Sequence, residues 1–498
     1  MNSIRKAADV ILMAAGSAGL LFLVFNVTRH GWAWHYLALL VFAAMAFGAL
    51  RLSVSAKLNL ALLFLSTVIA VYGAEALIGH VVFSSSRFNM GDWLNFPSDR
   101  NASAAVSRIK EERSAHASFD TRTRLEVVHD LRDRGVHAFP DVFSAALFQS
   151  TAKGVIRSVF TTGQDELLPL ASLANVTTVF CNESGEYIIY ESDEHGFHNP
   201  RGLWQSRPIQ VAAVGDSFTH GACVPTDDGF VSRIRLQVPA TINLGINGDG
   251  PLTMLATLRE YGTGLRPKIV LWFFYEGNDS RDLDGREKYS PLLRNYLNPS
   301  FSQRLIDRQS EIDEKLAAYL DNAMRPQDTA VSVEQFLKLH HLRRSLKSVL
   351  DKPVARDGLP GELIEFLEEN AAPASKEDLE LFRTILDEAR TTVAAWGGQL
   401  YFIYLPAWQR YRIPELASQD RDVVLGMVEE LDIPIIDIHE MFAKHPDPLS
   451  LFPSRRHAHY NVEGHHLVAQ EVLKRLEADK QPLASIKPPP RRPRRPNG

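Results

Sequence analysis

Cysteine is scarce: Cys181 and Cys223 are the only two in 498 residues. That excludes a disulfide-dense small scaffold. With no CxxC pair, a thiolate zinc module is excluded as well. No HExxH segment occurs, so that zinc-hydrolase signature is missing. A dominant charge is lacking too. The formal net charge is −5, from 54 Lys and Arg against 59 Asp and Glu, which argues against nucleic acid bound along a basic groove. The two cysteines pair in an oxidising compartment or stay apart, and their spacing requires neither. For Cys223 the plain alternative is a small buried side chain.

Apolar residues are 45 % of the chain, ordinary for a globular protein. They are unevenly spread. Three N-terminal runs, residues 10–27, 32–50 and 60–78, approach the ~20 residues a membrane helix needs. Three in series, with no small-residue cleavage site after the first, read as membrane helices rather than as a signal peptide. A buried all-helical domain is the alternative. Arg5 and Lys6 precede the first run, and Arg51 and Lys57 separate the second from the third. This bias places the N-terminus inside. The expectation is a multi-pass inner-membrane protein with the region after residue 80 in the periplasm.

Residues 81–205 read as a helical connector followed by a β-hairpin. Helical spacing marks 120–135 and 145–159. The strand-like runs 176–180 and 187–190 flank the turn Asn182-Glu183-Ser184-Gly185. Residues 192–200 are densely polar, and read equally as functional or as a tight loop anchored by Phe197. From residue 206 to 480 strand and helix signals alternate, which predicts an α/β domain with a parallel sheet covered on both faces. Residues 281–355 interrupt the alternation as a helical insertion, a cap with His340, His341, Arg343 and Arg344 clustered in it. Residues 481–498 are Pro/Arg-rich and read as a disordered tail.

Ser217 follows the apolar run Val211-Ala212-Ala213-Val214 in Gly215-Asp216-Ser217. This puts a serine at the carboxyl end of a strand, where open α/β sheets bind ligands. A serine hydroxyl needs a base within reach, and His459 before Tyr460-Asn461 is the candidate. An oxyanion needs donors aimed at the developing charge. Candidates are the Ser217 amide, the Gly248 amide and the Asn278 side chain. A turn glycine and a helix cap are the plain alternatives for the last two. His457, His465 and His466 crowd around His459, but no repeated acid–His spacing fixes a metal geometry. His465 and His466 read as surface or interface residues. No metal and no cofactor are expected.

Gly215-Asp216-Ser217, Gly248, Gly277-Asn278 and His459, in that order, resemble the blocks of the SGNH (GDSL-like) hydrolases, in a membrane-anchored bacterial branch. The resemblance spans 209–476. It implies a flavodoxin-like three-layer α/β/α sandwich, here preceded by three transmembrane helices. It implies ester hydrolysis through an acyl-enzyme, with Ser217 as nucleophile and His459 as base. Gly248 and Asn278 would be the oxyanion donors. The substrate implied is an acylated carbohydrate or lipid of the cell envelope. Acyl transfer to envelope polysaccharide is the alternative, as is a degenerate scaffold module. One departure stands out. The family's aspartate would fall at Arg456 or His457, and neither is acidic. Asp193, Asp279 or a backbone carbonyl are the candidate partners for His459, and His457 is a further one.

Overall fold

In the computed structural model the chain divides into two compact units. Met1–Arg87 with Gln327–Lys352 form the first, and Phe88–Pro326 with Pro353–Gly498 the second. The residues described are 2–30, 37–81, 120, 122–151, 153–163, 165–205, 208–324, 339, 342–343, 359 and 361–480. The tail at 481–498 lies outside them, as do His340, His341 and Arg344.

The first unit contains three helices, Asn2–His30, Leu37–Ala49 and Val54–Val81. Ala8, Leu12, Ala49 and Ala61 pack together between them. Lys57 Nζ donates to Asp9 Oδ1 at 2.8 Å, with the lysine side chain buried. Among the described residues one helix, Val54–Ala76, is long and apolar enough to cross a membrane. This overturns the expectation of three transmembrane helices, and with it the multi-pass inner-membrane and periplasmic placement. The second run fails on length. Leu37–Ala49 has 13 residues, about 20 Å of helix against a hydrocarbon core of about 30 Å. In the first helix, side chains 2–5, 19, 22 and 25–30 lie outside the described set. The unbroken stretch 6–18 that remains is short and carries Lys6 and Asp9. Leu342 also belongs to this unit: its N–H donates to Glu75 Oε2 at 2.6 Å. Of the expected cap, Leu342 is therefore grouped with the N-terminal helices, and most of residues 325–355 lie outside the described set.

Among the described residues, the first helix of the second unit is Arg124–Asp133, started by a reciprocal capping box between Thr123 and Glu126. Its strands in chain order are β1 (Ala138–Pro140), β2 (Phe148–Ser150), β3 (Ile156–Ser158), β4 (Phe160–Thr162), β5 (Asp165–Leu167), β6 (Thr177–Val179) and β7 (Ile189–Glu191). Then follow β8 (Val211–Val214), β9 (Thr241–Asn243), β10 (Ile269–Tyr275), β11 (Gln399–Leu405) and β12 (Ile435–Asp437). The helix expected at 145–159 is not found among the described residues there. A 3-10 turn at Ser144–Leu147 leads into the antiparallel pair β2–β3. The β-branched Val155, Ile156 and Val159 favour strand over helix there. The expected hairpin forms: β6 and β7 pair antiparallel, with Thr178 opposite Tyr190, and β1 joins β6 in parallel.

The large sheet has the order β12-β11-β10-β8-β9, every pair parallel. Counted along these five strands this is 2-1-3-4-5, a doubly wound order with its switch point between β8 and β10. Alternate residues of β10 face two cores. Val270, Trp272 and Phe274 join one with Leu252, Leu255 and Phe382. Leu271, Phe273 and Tyr275 join the other with Phe230, Ile234 and Val468. Both faces are apolar, as a parallel sheet covered on both sides requires.

Phe273 is fully buried and stacks near Phe230, with ring centroids 4.5 Å apart. Phe273→Ala is expected to lower unfolding free energy by about 3–5 kcal/mol. Urea unfolding of the full chain, followed by tryptophan fluorescence, measures it. A loss below about 1 kcal/mol would contradict this packing.

Candidate functional site

Because β8, β9 and β10 run parallel, their carboxyl ends open at one edge of the sheet. Ser217 follows β8, Gly248 follows β9 and Asn278 follows β10. Asp216 caps the short helix Ser217–His220, its Oδ1 accepting the Phe218 N–H at 2.9 Å. Gly221 ends that helix in the left-handed region, at φ +93°, where a side chain would be strained.

His459 comes to this edge from the far end of the chain. The next residues fix it. Tyr460 is fully buried and its hydroxyl donates to the Pro406 carbonyl at 2.6 Å. Asn461 caps the helix Val462–Ala478 by accepting the Gly464 N–H at 3.1 Å. The Phe218 ring lies 4.7 Å from the His459 ring.

His459 Nε2 lies 2.8 Å from Ser217 Oγ. Its Nδ1 lies 2.9 Å from Glu183 Oε1. The His459 main-chain N–H donates to the other oxygen, Glu183 Oε2, also at 2.9 Å. Hydroxyl, imidazole and carboxylate thus stand in one hydrogen-bonded line. Asp216 Oδ2 is a weaker partner of the hydroxyl, at 3.5 Å.

Glu183 was not among the residues read from the sequence as partners for His459. It lies in the turn of the β6–β7 hairpin, where Asn182 Oδ1 accepts the Gly185 N–H. The alternatives considered for that place are engaged elsewhere. Asp193 accepts from Trp204 Nε1 and Asn199 Nδ2. Asp279 Oδ2 accepts the Tyr275 N–H. His457 packs edge-on against Phe366 and Trp408.

Gly248 sits at φ +79°, and a Cβ there would come within 2.3 Å of Phe143. Only glycine fits without displacing that ring. The Gly248 carbonyl accepts from Ser144 Oγ at 2.8 Å and Arg286 Nη2 at 3.2 Å. The start of the 281–355 insertion therefore braces this loop. Asn278 donates from Nδ2 to Asp282 Oδ2 at 2.8 Å, so one of its amide hydrogens is already directed away.

One of the neighbouring histidines differs from expectation, and the other does not. His465 is buried, not on the surface; its Nδ1 accepts the Phe230 N–H, and burial pushes its pKa down to about 3. His466 pairs with Asp228 at 3.1 Å. Donor atoms of Glu183, Cys223 and His459 lie within 4.8 Å of one another. Cys223 is bonded to Cys181, however, and offers no thiolate.

No family model matches the chain, and no curated protein matches it. Among solved structures it is similar to a protein of the G-D-S-L family from Desulfitobacterium hafniense DCB-2. The identity is 12 %, over 53 % of this chain and 98 % of that one, at a TM-score of 0.28. It is similar to the lipase/acylhydrolase from Enterococcus faecalis at 14 % identity, over 54 % of this chain and 96 % of that one, TM-score 0.28. It is also similar to a two-domain esterase active on acetylated mannans, at 12 % identity, over 57 % of this chain and 53 % of that one, TM-score 0.28. The likeness is to a broad group of esterases and acylhydrolases and singles out no membrane-anchored branch. Scores this low leave the chemistry to the chain's own residues.

Burial pushes the Asp216 carboxyl up to about 7, and its bond from the Phe218 N–H only partly offsets this. An unfolded aspartate titrates near 4. Between these values the folded chain holds the extra proton, so this group's contribution to stability is lost as pH rises through that window. Asp216→Asn is expected to flatten the loss. Its urea midpoint relative to wild type should be higher at about pH 7.5 than at about pH 4.5. Parallel curves would contradict it.

Proposed function

We propose that the protein is a serine acyl hydrolase that cleaves an ester through an acyl-enzyme. The observation that carries this reading is the line Ser217–His459–Glu183. In it Ser217 Oγ attacks the ester carbonyl carbon while His459 Nε2 takes its proton. Glu183 holds the proton on Nδ1, so Nε2 is bare to accept, and it balances the imidazolium that forms. The tetrahedral oxyanion receives hydrogen bonds from the Ser217 and Gly248 amides, with the Asn278 side chain as third donor. His459 then protonates the departing alcohol. Water, deprotonated by the same imidazole, attacks the acyl carbonyl and frees Ser217.

The substrate class proposed is an acylated carbohydrate or lipid of the cell envelope. The scaffold alternative drew its force from a histidine without an acid, and Glu183 weakens it.

The test is hydrolysis of p-nitrophenyl acetate and of acetylated oligosaccharides by the purified full chain. Ser217→Ala is expected to lose about 10³-fold or more in kcat, and Glu183→Gln about 10²–10⁴-fold, with folding intact. A fluorophosphonate should label wild type at Ser217. Well-folded wild type that neither turns over these esters nor takes the label would refute the reading.

Gly248→Ala addresses the oxyanion loop. With Phe143 in its way, the substitution should lower kcat by about 10-fold to 10³-fold and leave KM within a few-fold. Unchanged kcat would remove Gly248 from the proposed hole.

A further inference from the structure

We propose that the Cys181–Cys223 disulfide positions Glu183 against His459, so that full activity requires the oxidised cystine. The proposal rests on the Ser217–His459–Glu183 reading and adds to it what keeps the acid in place.

The bond joins the two chain segments that carry the site. Cys181 lies two residues before Glu183, and Cys223 six after Ser217. Cys223 Sγ is 3.9 Å from His459 Nδ1, the nitrogen that faces Glu183. Both cysteines are buried, in a cluster with Phe180, Ile188, Tyr190 and Ala222.

Glu183 itself stands beyond the reach of the hairpin ladder. The last rung is Ile188 N–H to the Cys181 carbonyl at 2.9 Å. After it the turn is held by Asn182, which accepts from Gly185 and donates to the Asp120 carbonyl. With the Asp120 N–H, which donates to the Gly185 carbonyl at 2.7 Å, these bonds tie the tip to residue 120 and not to the segment that carries Ser217. The cystine is the covalent link from this tip to the nucleophile's segment. A second contact supports the same seating further up the hairpin. The Tyr190 hydroxyl lies 2.8 Å from His220 Nε2, and the Phe180 ring stacks on His220 at 4.2 Å. That contact holds the strands, and the cystine holds the tip.

Reduction by dithiothreitol makes the balance explicit. One of its thiolates attacks a cystine sulfur, breaking the S–S bond to give a mixed disulfide and a cysteine thiolate. The second thiol then closes the reductant's own ring disulfide and frees the other cysteine. Two electrons pass to the protein, which gains two thiols.

The experiment compares oxidised and dithiothreitol-reduced full chain, with thiol titration confirming two free cysteines. The Cys181→Ala/Cys223→Ala double variant serves as a second unlinked form. Each is measured in the Glu183 and the Glu183→Gln backgrounds. Loss of the link should lower kcat about 10-fold or more in the Glu183 background, with KM within about two-fold. In the Glu183→Gln background it should change kcat by less than about two-fold, because the positioned group is already gone. An equal loss in both backgrounds would overturn the proposal, and so would no loss in either. If the unlinked chain unfolds at assay temperature, the bond is a general staple and the proposal also falls. Failure of the site reading looks different: oxidised wild type would then show no Ser217-dependent turnover at all.

Discussion

The pairing of Glu183 with His459 is the interaction on which the rest of the site depends. A neutral imidazole carries one ring proton, and only the tautomer with that proton on Nδ1 leaves Nε2 able to accept from a serine. Glu183 accepts from that nitrogen, and it also accepts from the His459 main-chain N–H. Two bonds to one carboxylate fix both the ring and the backbone that carries it. The rest of the second unit supports this arrangement. A buried Tyr460 and the Asn461 cap hold the histidine from the chain's far side. The β6–β7 hairpin, seated on His220 and tied at Cys223, holds the acid.

The parallel sheet supplies the frame. Its strands β8, β9 and β10 are buried along their whole length, so the residues that follow them are carried on packed elements of the scaffold. The loop at Gly248 is braced from two directions, by Phe143 and Ser144 on one side and Arg286 on the other. Several carboxyls lie buried behind this edge. Asp216, Asp249 and Asp279 are all shifted upward, chiefly by burial, with the charge of Asp216 adding to the shift at Asp249 and Asp279 and that of Asp282 to the shift at Asp216.

The places of Ser217, Asn278 and His459 could be read from the sequence because each lies just past an apolar strand or just before the cap of an amphipathic helix, and the oxyanion roles of Gly248 and Asn278 remain part of the proposal. Periodicity finds those places. Glu183 was not visible, because no period relates it to His459, 276 residues away. Its signal was indirect: an acid two residues from Cys181, whose partner follows the nucleophile. A disulfide taken as formed would have brought it to the site. The N-terminal runs misled for a different reason. Apolar content alone does not separate a span from a helix packed on its neighbours, and the Asp9–Lys57 pair is a tertiary fact. The strands at 148–158 were hidden because β-branched residues at helical spacing satisfy both patterns.

The tautomer of His459 is the most direct test of the account. Nitrogen-15 NMR of the full chain with labelled histidine, assigned through His459→Gln, reads which ring nitrogen carries the proton near neutral pH. The account predicts a proton on Nδ1 and a bare Nε2, with that preference lost in Glu183→Gln. A proton on Nε2 in the wild-type chain would contradict it, as would a tautomer indifferent to Glu183.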